Sequence, residues 1–161
     1  MEHEANNSLI PQEKGELLAR KEVVSRSVVK NLIREAIEAM KYAYTPYSNF
    51  KVGAALLTTK QKIYTGCNIE SASLSPTNCA ERTAIFKAVS EGEKDFAAIA
   101  IVGGRDGVLS DFCPPCGVCR QVIREFVDPE HFLVIIAKSE EEYQLYFLEE
   151  LFPMSFGPGN L

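Results

Sequence analysis

Three cysteines and one glutamate have the residue types and spacing that point most directly to chemistry. Cys116 and Cys119 are separated by two residues, which places two thiolates one helical turn apart, close enough to bind one tetrahedral metal ion. Cys79 begins another predicted helix, where backbone N–H groups and the helix dipole favour the thiolate. Three protein thiolates leave one zinc position free, as a catalytic site requires. Glu81 follows Cys79 closely enough to address that free position as a proton carrier.

Simpler interpretations of these residues stay open at this point. Cys116 and Cys119 could form a structural zinc clip or be two buried thiols. Cys113 precedes Cys116 at the same spacing, so it forms an equivalent pair. Asn78 and Glu81 fit a capping box, in which the glutamate only returns to the N-terminal N–H of the helix.

The chain around these residues alternates between predicted helices and predicted strands. Apolar residues at three- and four-residue steps indicate amphipathic helices, and short apolar runs rich in β-branched residues indicate strands. Helices are predicted over residues 24–45, 79–90 and 117–126, and strands over residues 52–57, 62–68, 96–102 and 132–137. This order predicts an α/β fold, a three-layer α/β/α sandwich with mixed strand directions.

Particular residues set the predicted boundaries of these elements. Asn78 is a candidate N-cap, and Gly92 a candidate C-terminal stop, for the helix over residues 79–90. Residues 103–115 are rich in Gly, Pro and Asp and are predicted to form a loop. Residues 139–151 fit a helix through their three consecutive glutamates and a strand through their aromatic centre.

Length and charge narrow the class of protein. The 161 residues are too few for two typical domains, so a single domain is predicted over residues 23–161. Residues 1–22 are polar and lack a sustained apolar period, so they are predicted to form an extension of that domain. The net charge of -5 gives no broad attraction to a phosphate backbone, so no nucleic-acid partner is predicted.

Two further features of the composition bear on location. No apolar run approaches the roughly 18 residues that span a bilayer, so no membrane partner is predicted. Five cysteines are an odd set that argues against a disulfide framework. These features predict a cytoplasmic protein.

The cysteine and glutamate pattern resembles the paired signature of the cytidine deaminase superfamily. The matching residues are Cys79-Ala80-Glu81 and Pro115-Cys116-x-x-Cys119. Further matches, at residues 47–50, 52–55, 66–70, 78–84, 116–121 and 155–158, resemble the small homotetrameric three-cysteine zinc enzymes that act on free nucleosides. The resemblance extends from about residue 24 to residue 158. It implies a five-stranded mixed sheet, with a strand at about 142–147.

The resemblance also implies a reaction and its zinc ligands. Cys79, Cys116 and Cys119 would hold one Zn²⁺ per chain. Glu81 would carry protons while water replaces the 4-amino group of cytidine or deoxycytidine, with release of ammonia. Three thiolates on Zn²⁺ leave a net negative charge, which the Arg82 guanidinium would offset through a hydrogen bond to a ligand sulfur; the alternative is that Arg82 is a solvated charge on the helix. The family pattern puts proline directly before the first ligand of the pair, which assigns Cys113 to the loop.

Substrate contacts are implied in the same way. Asn68 and Glu70 would hold the ribose hydroxyls, Phe50 would pack against the pyrimidine ring, and the backbone N–H of Ala80 would bind the 2-carbonyl. Phe156 would close the pocket of a neighbouring subunit in a homotetramer with shared active sites. For these residues the alternatives are an ordinary polar strand edge and burial in the core.

Leu74 departs from the family, because many relatives have a tyrosine at this place, and leucine cannot donate a hydrogen bond. Substrate preference is therefore less well predicted than reaction type. The alternatives are a deaminase of cytosine-containing antibiotics, a zinc-stabilised binding module without turnover, and an enzyme that edits RNA or DNA. The acidic charge argues against the last of these, and Glu81 argues against the binding module.

Overall fold

The structure, a computed structural model, describes residues 24–161, and the predicted extension over residues 1–22 lies outside them. The helices are α1 (Arg26–Met40), α2 (Ala80–Ser90), α3 (Gly117–Phe126) and α4 (Leu148–Leu151), followed by a 3-10 turn at Pro158–Asn160. The strands are β1 (Phe50–Thr58), β2 (Ile63–Cys67), β3 (Phe96–Arg105), β4 (Leu133–Ala137) and β5 (Tyr143–Phe147). Within residues 24–161, no helix is both long enough and apolar enough to cross a membrane.

The five strands form one sheet in the order β2-β1-β3-β4-β5. β1 pairs antiparallel with β2 and β3, β3 pairs parallel with β4, and β4 pairs antiparallel with β5. A parallel pair needs a crossover connection, which α3 and the loop before it supply. The predicted mixed sheet of five strands is confirmed.

Helices cover both faces of this sheet. The side chains of β3 show the arrangement, because they alternate between the faces. Ile99 and Ile101 lie in the cluster that contains Ile85 of α2 and Ile123 of α3. Ala98 and Ala100 lie in the cluster that contains Ile33 of α1. The predicted three-layer α/β/α sandwich is therefore confirmed, with α2 and α3 on the same face.

Glycines let one helix on each face approach the sheet closely. A Cβ atom on Gly53 in β1 would lie 2.0 Å from the carbonyl oxygen of Ala36 in α1. One on Gly66 in β2 would lie 2.4 Å from the carbonyl oxygen of Ala80 in α2. Any side chain at either position would push the helix away from the sheet. Gly66 therefore sets the position of the first turn of α2, which contains Glu81.

The start of α2 differs from the prediction, while its end agrees with it. Cys79, and not Asn78, is the N-cap residue. Asn78 is paired instead with Ile69, because its N–H donates to the Ile69 carbonyl and its own carbonyl accepts from the Ile69 N–H, both at 2.9 Å. The prediction of Asn78 as the N-cap is thus wrong. Gly92 follows the helix with a φ of 89°, the left-handed conformation that commonly ends helices.

Two other segments differ from or refine the prediction. The strand predicted over residues 96–102 continues to Arg105, although two glycines had suggested a loop. A Cβ atom on Gly104 would lie 1.8 Å from the Val108 carbonyl oxygen, so glycine here allows the following loop to pack on the strand. The ambiguous residues 139–151 contain β5 and then α4, so the strand expected at about 142–147 is confirmed.

Candidate active site

Three cysteine sulfurs meet where α2 and α3 begin. Cys79 is the N-cap of α2, Cys116 is the N-cap of α3, and Cys119 lies in the first turn of α3. The Sγ atoms of Cys79 and Cys116 are 3.9 Å apart, and all three sulfurs lie within 4.8 Å of one another. The sulfurs thus lie at two helix N-termini, where the first backbone N–H groups have no partner inside the helix.

The three sulfurs fit a zinc ion. Bonds of about 2.3 Å in tetrahedral geometry place two zinc-bound sulfurs roughly 3.8 Å apart, close to the separation between Cys79 and Cys116. Soft thiolate donors suit zinc, and a three-ligand set leaves one position for water or substrate. Within residues 24–161, Cys113 is not part of this group. Cys113 and Cys119 are equally far from Cys116 in the sequence, but only Cys119 joins the cluster within the described residues.

The electrostatics of the cluster favour a thiolate at Cys79. A hydrogen bond with Cys119, to which contacts with Arg82 and Cys116 add, lowers the pKa of Cys79 to about 5. The same interaction with Cys79, together with burial, raises the pKa of Cys119. Burial raises the pKa of Cys113 to about 11, so this thiol stays protonated at neutral pH. The cluster thus favours a negative charge at Cys79 and a protonated thiol at Cys119.

Arg82 supplies a positive charge at the edge of the cluster. One guanidinium nitrogen, Nη2, lies 3.6 Å from Cys79 Sγ and 3.2 Å from the carbonyl oxygen of Thr77. The Nε atom is buried and has no hydrogen-bond partner within residues 24–161. This guanidinium can offset part of the charge that three thiolates bring to a dication, as the sequence predicts.

Glu81 is a buried carboxyl group in the first turn of α2. The residue is 4% exposed. Burial is the main cause that raises its pKa to about 7, and the negative charge of Cys79 adds to the shift. A carboxyl with this pKa can both take and release a proton at neutral pH. The capping-box alternative is wrong, because the Asn78 N–H donates to Ile69 and not to Glu81.

These residues form what we call the helix group: Cys79, Glu81, Arg82, Cys116 and Cys119. A second set, the loop group, consists of Ser48, Phe50, Asn68 and Glu70. The two groups are connected through the pairing between Ile69 and Asn78, since Ile69 separates Asn68 from Glu70 and Asn78 precedes Cys79. Residues predicted from separate parts of the sequence are therefore neighbours along this backbone bridge.

Asn68 spans the start of β1 with its side-chain amide. The Oδ1 atom accepts from the Val52 N–H at 2.8 Å, and the Nδ2 atom donates to the Phe50 carbonyl at 2.8 Å. One N–H of the amide is left for another acceptor. Phe50 is 37% exposed at the beginning of β1, so the alternative of full burial in the core is wrong for this ring.

Glu70 is held by the turn before β1. Its Oε2 atom accepts from the N–H groups of Tyr47 at 3.0 Å and Ser48 at 3.2 Å, and its Oε1 atom accepts from the Ser48 hydroxyl. These bonds, of which the one from the hydroxyl is the largest cause, lower the pKa of Glu70. Glu70 is therefore an ionised acceptor at neutral pH.

The remaining predicted residues lie in different surroundings. Ala80 opens α2, so its N–H is one of the amide groups without a partner inside the helix. Leu74 lies in a surface loop, 70% exposed, with a left-handed φ of 59°. Phe156 is 59% exposed, and its carbonyl accepts from Gln121 in α3 at 3.1 Å. The C-terminal segment is thus fixed to the helix that contains Cys119, while the Phe156 ring faces outward.

Sequence reasoning missed the part that Ser48 plays in this site. Ser48 lies inside the matching residues 47–50, but its own hydrogen bonds depend on Glu70, which is 22 positions away. Arg120 was also missed. Its guanidinium donates to the carbonyl groups of Pro115 at 2.8 Å and Leu151 at 2.7 Å, which ties the loop before α3 to the end of α4. A cationic residue beside a ligand cysteine was the available signal.

Comparison with known proteins gives a consistent set of matches. Residues 26–135 match the family described as the cytidine and deoxycytidylate deaminase zinc-binding region, a stretch that includes the three clustered cysteines and Glu81. The chain is 56% identical to a cytidine deaminase of Sporosarcina psychrophila over 98 aligned residues, which make up 61% of this chain and 69% of that protein. It is 47% identical to a cytidine deaminase of Halalkalibacterium halodurans over 125 aligned residues, which make up 78% of this chain and 91% of that protein.

A similar protein has also been solved in three dimensions. The crystal structure of a cytidine deaminase from Burkholderia pseudomallei superimposes with a TM-score of 0.71 at 43% sequence identity. The match covers 78% of this chain and 97% of that one. The α/β/α arrangement is therefore shared over most of the described residues.

Proposed function

The chain belongs to the cytidine and deoxycytidylate deaminase family, and from this premise we propose that it is a zinc-dependent cytidine deaminase. The reaction adds water to cytidine or deoxycytidine and gives uridine or deoxyuridine with one molecule of ammonia. The observation that carries this proposal is the meeting of three cysteine sulfurs beside a buried glutamate at two helix N-termini. Such a reaction serves the salvage of pyrimidine nucleosides.

Cys79, Cys116 and Cys119 would hold the zinc ion. When bound, zinc would supply a Lewis acid that lowers the pKa of the attacking water. Glu81 takes one proton from the attacking water and delivers it to N3 of the base as the oxygen adds to C4. It then takes the remaining proton of the added hydroxyl and passes it to the 4-amino group, so that the C4–N bond breaks, ammonia leaves and the 4-carbonyl forms. Its burial supports this role, since a carboxyl with a pKa near neutral pH exchanges protons in both directions. Arg82 reduces the negative charge of the three thiolates.

The loop group recognises the nucleoside. Phe50 packs against the pyrimidine ring, and the Ala80 N–H donates to the 2-carbonyl. Asn68 donates its remaining N–H to a sugar hydroxyl, and the ionised Glu70 accepts from one. The supporting observation is complementarity, because a hydroxyl both donates and accepts while these two side chains offer one donor and one strong acceptor.

We further propose that four chains assemble with shared active sites, and that Phe156 closes the pocket of a neighbour. The exposure of Phe156 supports this arrangement, because its carbonyl is fixed to α3 by Gln121 while the residue is 59% exposed. Closed symmetric assembly would bury such an apolar surface.

The proposal extends to domain organisation and location. Residues 23–161 form the catalytic domain, and residues 1–22 are an extension of it. A cytoplasmic location is supported by five free cysteines, including those of the zinc site, which a reducing compartment preserves.

The direct test is to give the zinc-loaded protein cytidine and deoxycytidine and to measure the nucleoside products and ammonia together. We expect uridine or deoxyuridine and ammonia in equal amounts. A cytosine-containing nucleoside antibiotic and a cytosine-containing single-stranded oligonucleotide serve as competing substrates. Faster conversion of either competitor would replace the proposed substrate, and zinc-loaded protein without turnover would indicate a binding module.

A further inference from the structure

Ser48 is a node of hydrogen bonds in the turn that precedes β1. Its N–H donates to Glu70 Oε2 at 3.2 Å, and its carbonyl accepts from Arg105 Nη1 at 3.2 Å. Its hydroxyl donates to Glu70 Oε1 and accepts from the Phe50 N–H at 3.0 Å. Every polar group of this exposed residue is therefore engaged, and three of these contacts involve residues of the loop group.

The Ser48 hydroxyl binds the Glu70 oxygen that the two backbone N–H groups do not bind. Within residues 24–161, the side-chain hydrogen bonds of Glu70 come from Tyr47 and Ser48. Both backbone N–H groups bind the same oxygen, Oε2. The Ser48 hydroxyl is the donor to the other oxygen, Oε1. Without it the carboxylate would be held at one oxygen and could rotate about the bond that joins it to the side chain.

The same hydroxyl also links Glu70 to the start of β1. The Phe50 N–H donates to Ser48 Oγ, and the Phe50 carbonyl accepts from Asn68. The backbone of Phe50 is thus bound on one side by the residue that holds Glu70 and on the other by Asn68. The backbone of Phe50 therefore links the Glu70 carboxylate, through Ser48, to the Asn68 amide.

We propose that Ser48 is a positioning residue for sugar recognition: its hydroxyl fixes the Glu70 carboxylate in the orientation that accepts a hydroxyl of the nucleoside sugar. This inference rests on the proposed function, and specifically on the contact between Glu70 and the sugar. Because Ser48 acts through Glu70, its effect depends on whether the substrate carries the hydroxyl that Glu70 binds.

The test compares two substrates that differ only in the sugar, cytidine and 2′,3′-dideoxycytidine. Ser48→Ala should raise KM for cytidine about tenfold, the typical effect of one hydrogen bond to a charged group, with little change in kcat. For 2′,3′-dideoxycytidine the same variant should change KM less than about twofold. Ser48→Thr retains the hydroxyl and should restore most of the lost affinity for cytidine. Ser139→Ala removes a comparable hydroxyl, one that accepts backbone N–H groups in the turn before β5, and should leave both substrates unaffected.

Thermal unfolding of each variant monitors folding. If Ser48→Ala does not fold, Ser48→Cys keeps the side-chain volume with a weaker donor and should show the same loss confined to cytidine. Equal losses on both substrates, or a threonine variant as impaired as the alanine variant, would overturn the inference and leave Ser48 as a residue that only stabilises the turn. A zinc-loaded wild-type protein that converts neither nucleoside would contradict the proposed function itself, and this inference with it.

Discussion

Glu81 and Glu70 are both carboxylates of the candidate site, but opposite physical forces act on them. Glu81 is 4% exposed on a helix that packs against the sheet, and burial raises its pKa to about 7. Glu70 lies in a loop, and hydrogen bonds from the Ser48 hydroxyl and from the turn lower its pKa. The first is therefore suited to carry a proton, and the second to keep its charge and accept hydrogen bonds.

The same contrast holds for the groups to which they belong. The helix group is positioned by packing, since α2 lies directly on Gly66 and its residues Ala80 and Glu81 are almost wholly buried. The loop group is positioned by a few hydrogen bonds between two loops and the start of β1. We infer that damage to the helix group reduces the rate of the reaction, whereas damage to the loop group reduces affinity and selectivity.

The largest effect is expected from Glu81→Gln. The amide cannot carry a proton, so kcat should fall by about 10²- to 10⁴-fold while zinc content and thermal stability are retained. Steady-state kinetics and metal analysis on the same sample measure both quantities. The matched control is Glu38→Gln on α1, where the carboxylate is in an exposed pair with Lys41. Near-normal turnover in Glu81→Gln would remove the proton-carrier role.

Glu70→Gln should give the opposite pattern. The neutral amide replaces the carboxylate, so the charge-assisted hydrogen bond to the sugar is lost. KM for cytidine should therefore rise roughly 10- to 100-fold, with a much smaller change in kcat. Separate determination of KM and kcat distinguishes this pattern from that of Glu81→Gln. A fall in kcat with an unchanged KM would mean that Glu70 acts in the chemical step and not in binding of the sugar.

Arg82→Gln should have a smaller effect within the helix group. The three thiolates then lose a neighbouring positive charge, so the zinc site is a weaker acid, and kcat should fall about tenfold. Arg34→Gln is the control, because it removes a guanidinium from an exposed pair with Glu140 on the α1 side of the sheet. Equal rates for Arg82→Gln and the control would show that Arg82 does not tune the site.

The smallest signal is expected from shared sites. Phe156→Ala and Glu81→Gln chains, each weak alone, are unfolded and refolded together in equal amounts. If each pocket takes Glu81 from one chain and Phe156 from another, about a quarter of the pockets in randomly mixed tetramers are intact. Differently tagged chains verify the mixing, and activity measured on doubly purified assemblies reports the gain. Mixed assemblies without a gain would exclude a shared pocket.

The helix group and the loop group also differ in how far their positions could be predicted from the sequence. The apolar periodicity is a local pattern, and it predicted the α/β/α sandwich. The cysteine spacing is also local, but it left Cys113 and Cys119 as equal partners of Cys116, and only the resemblance to the deaminase family chose Cys119. The position of Asn78 depends on its pairing with Ile69, a partner outside the helix, so the local capping signal was misleading. The extension of β3 past residue 102 was missed for a similar reason, because its glycines serve close packing with a distant loop.

The role of Ser48 in holding Glu70 could not be predicted from the local sequence. It requires a turn, a strand start and Glu70 to come together across 22 positions. Hydrogen bonds between loops leave no periodic pattern, whereas packed helices and strands do. Prediction was accordingly strongest where packing positions the residues and weakest where hydrogen bonds between loops do.

We propose that one zinc ion, held by Cys79, Cys116 and Cys119, serves a deaminating site in each chain. The most direct measurement adds Zn²⁺ stepwise to metal-free protein and follows the conversion of cytidine to uridine at each step. The rate should rise in proportion to the added zinc and reach a plateau at one equivalent per chain. A rate that does not depend on zinc, or fully loaded protein that leaves cytidine unchanged, would contradict a zinc-dependent deaminating site.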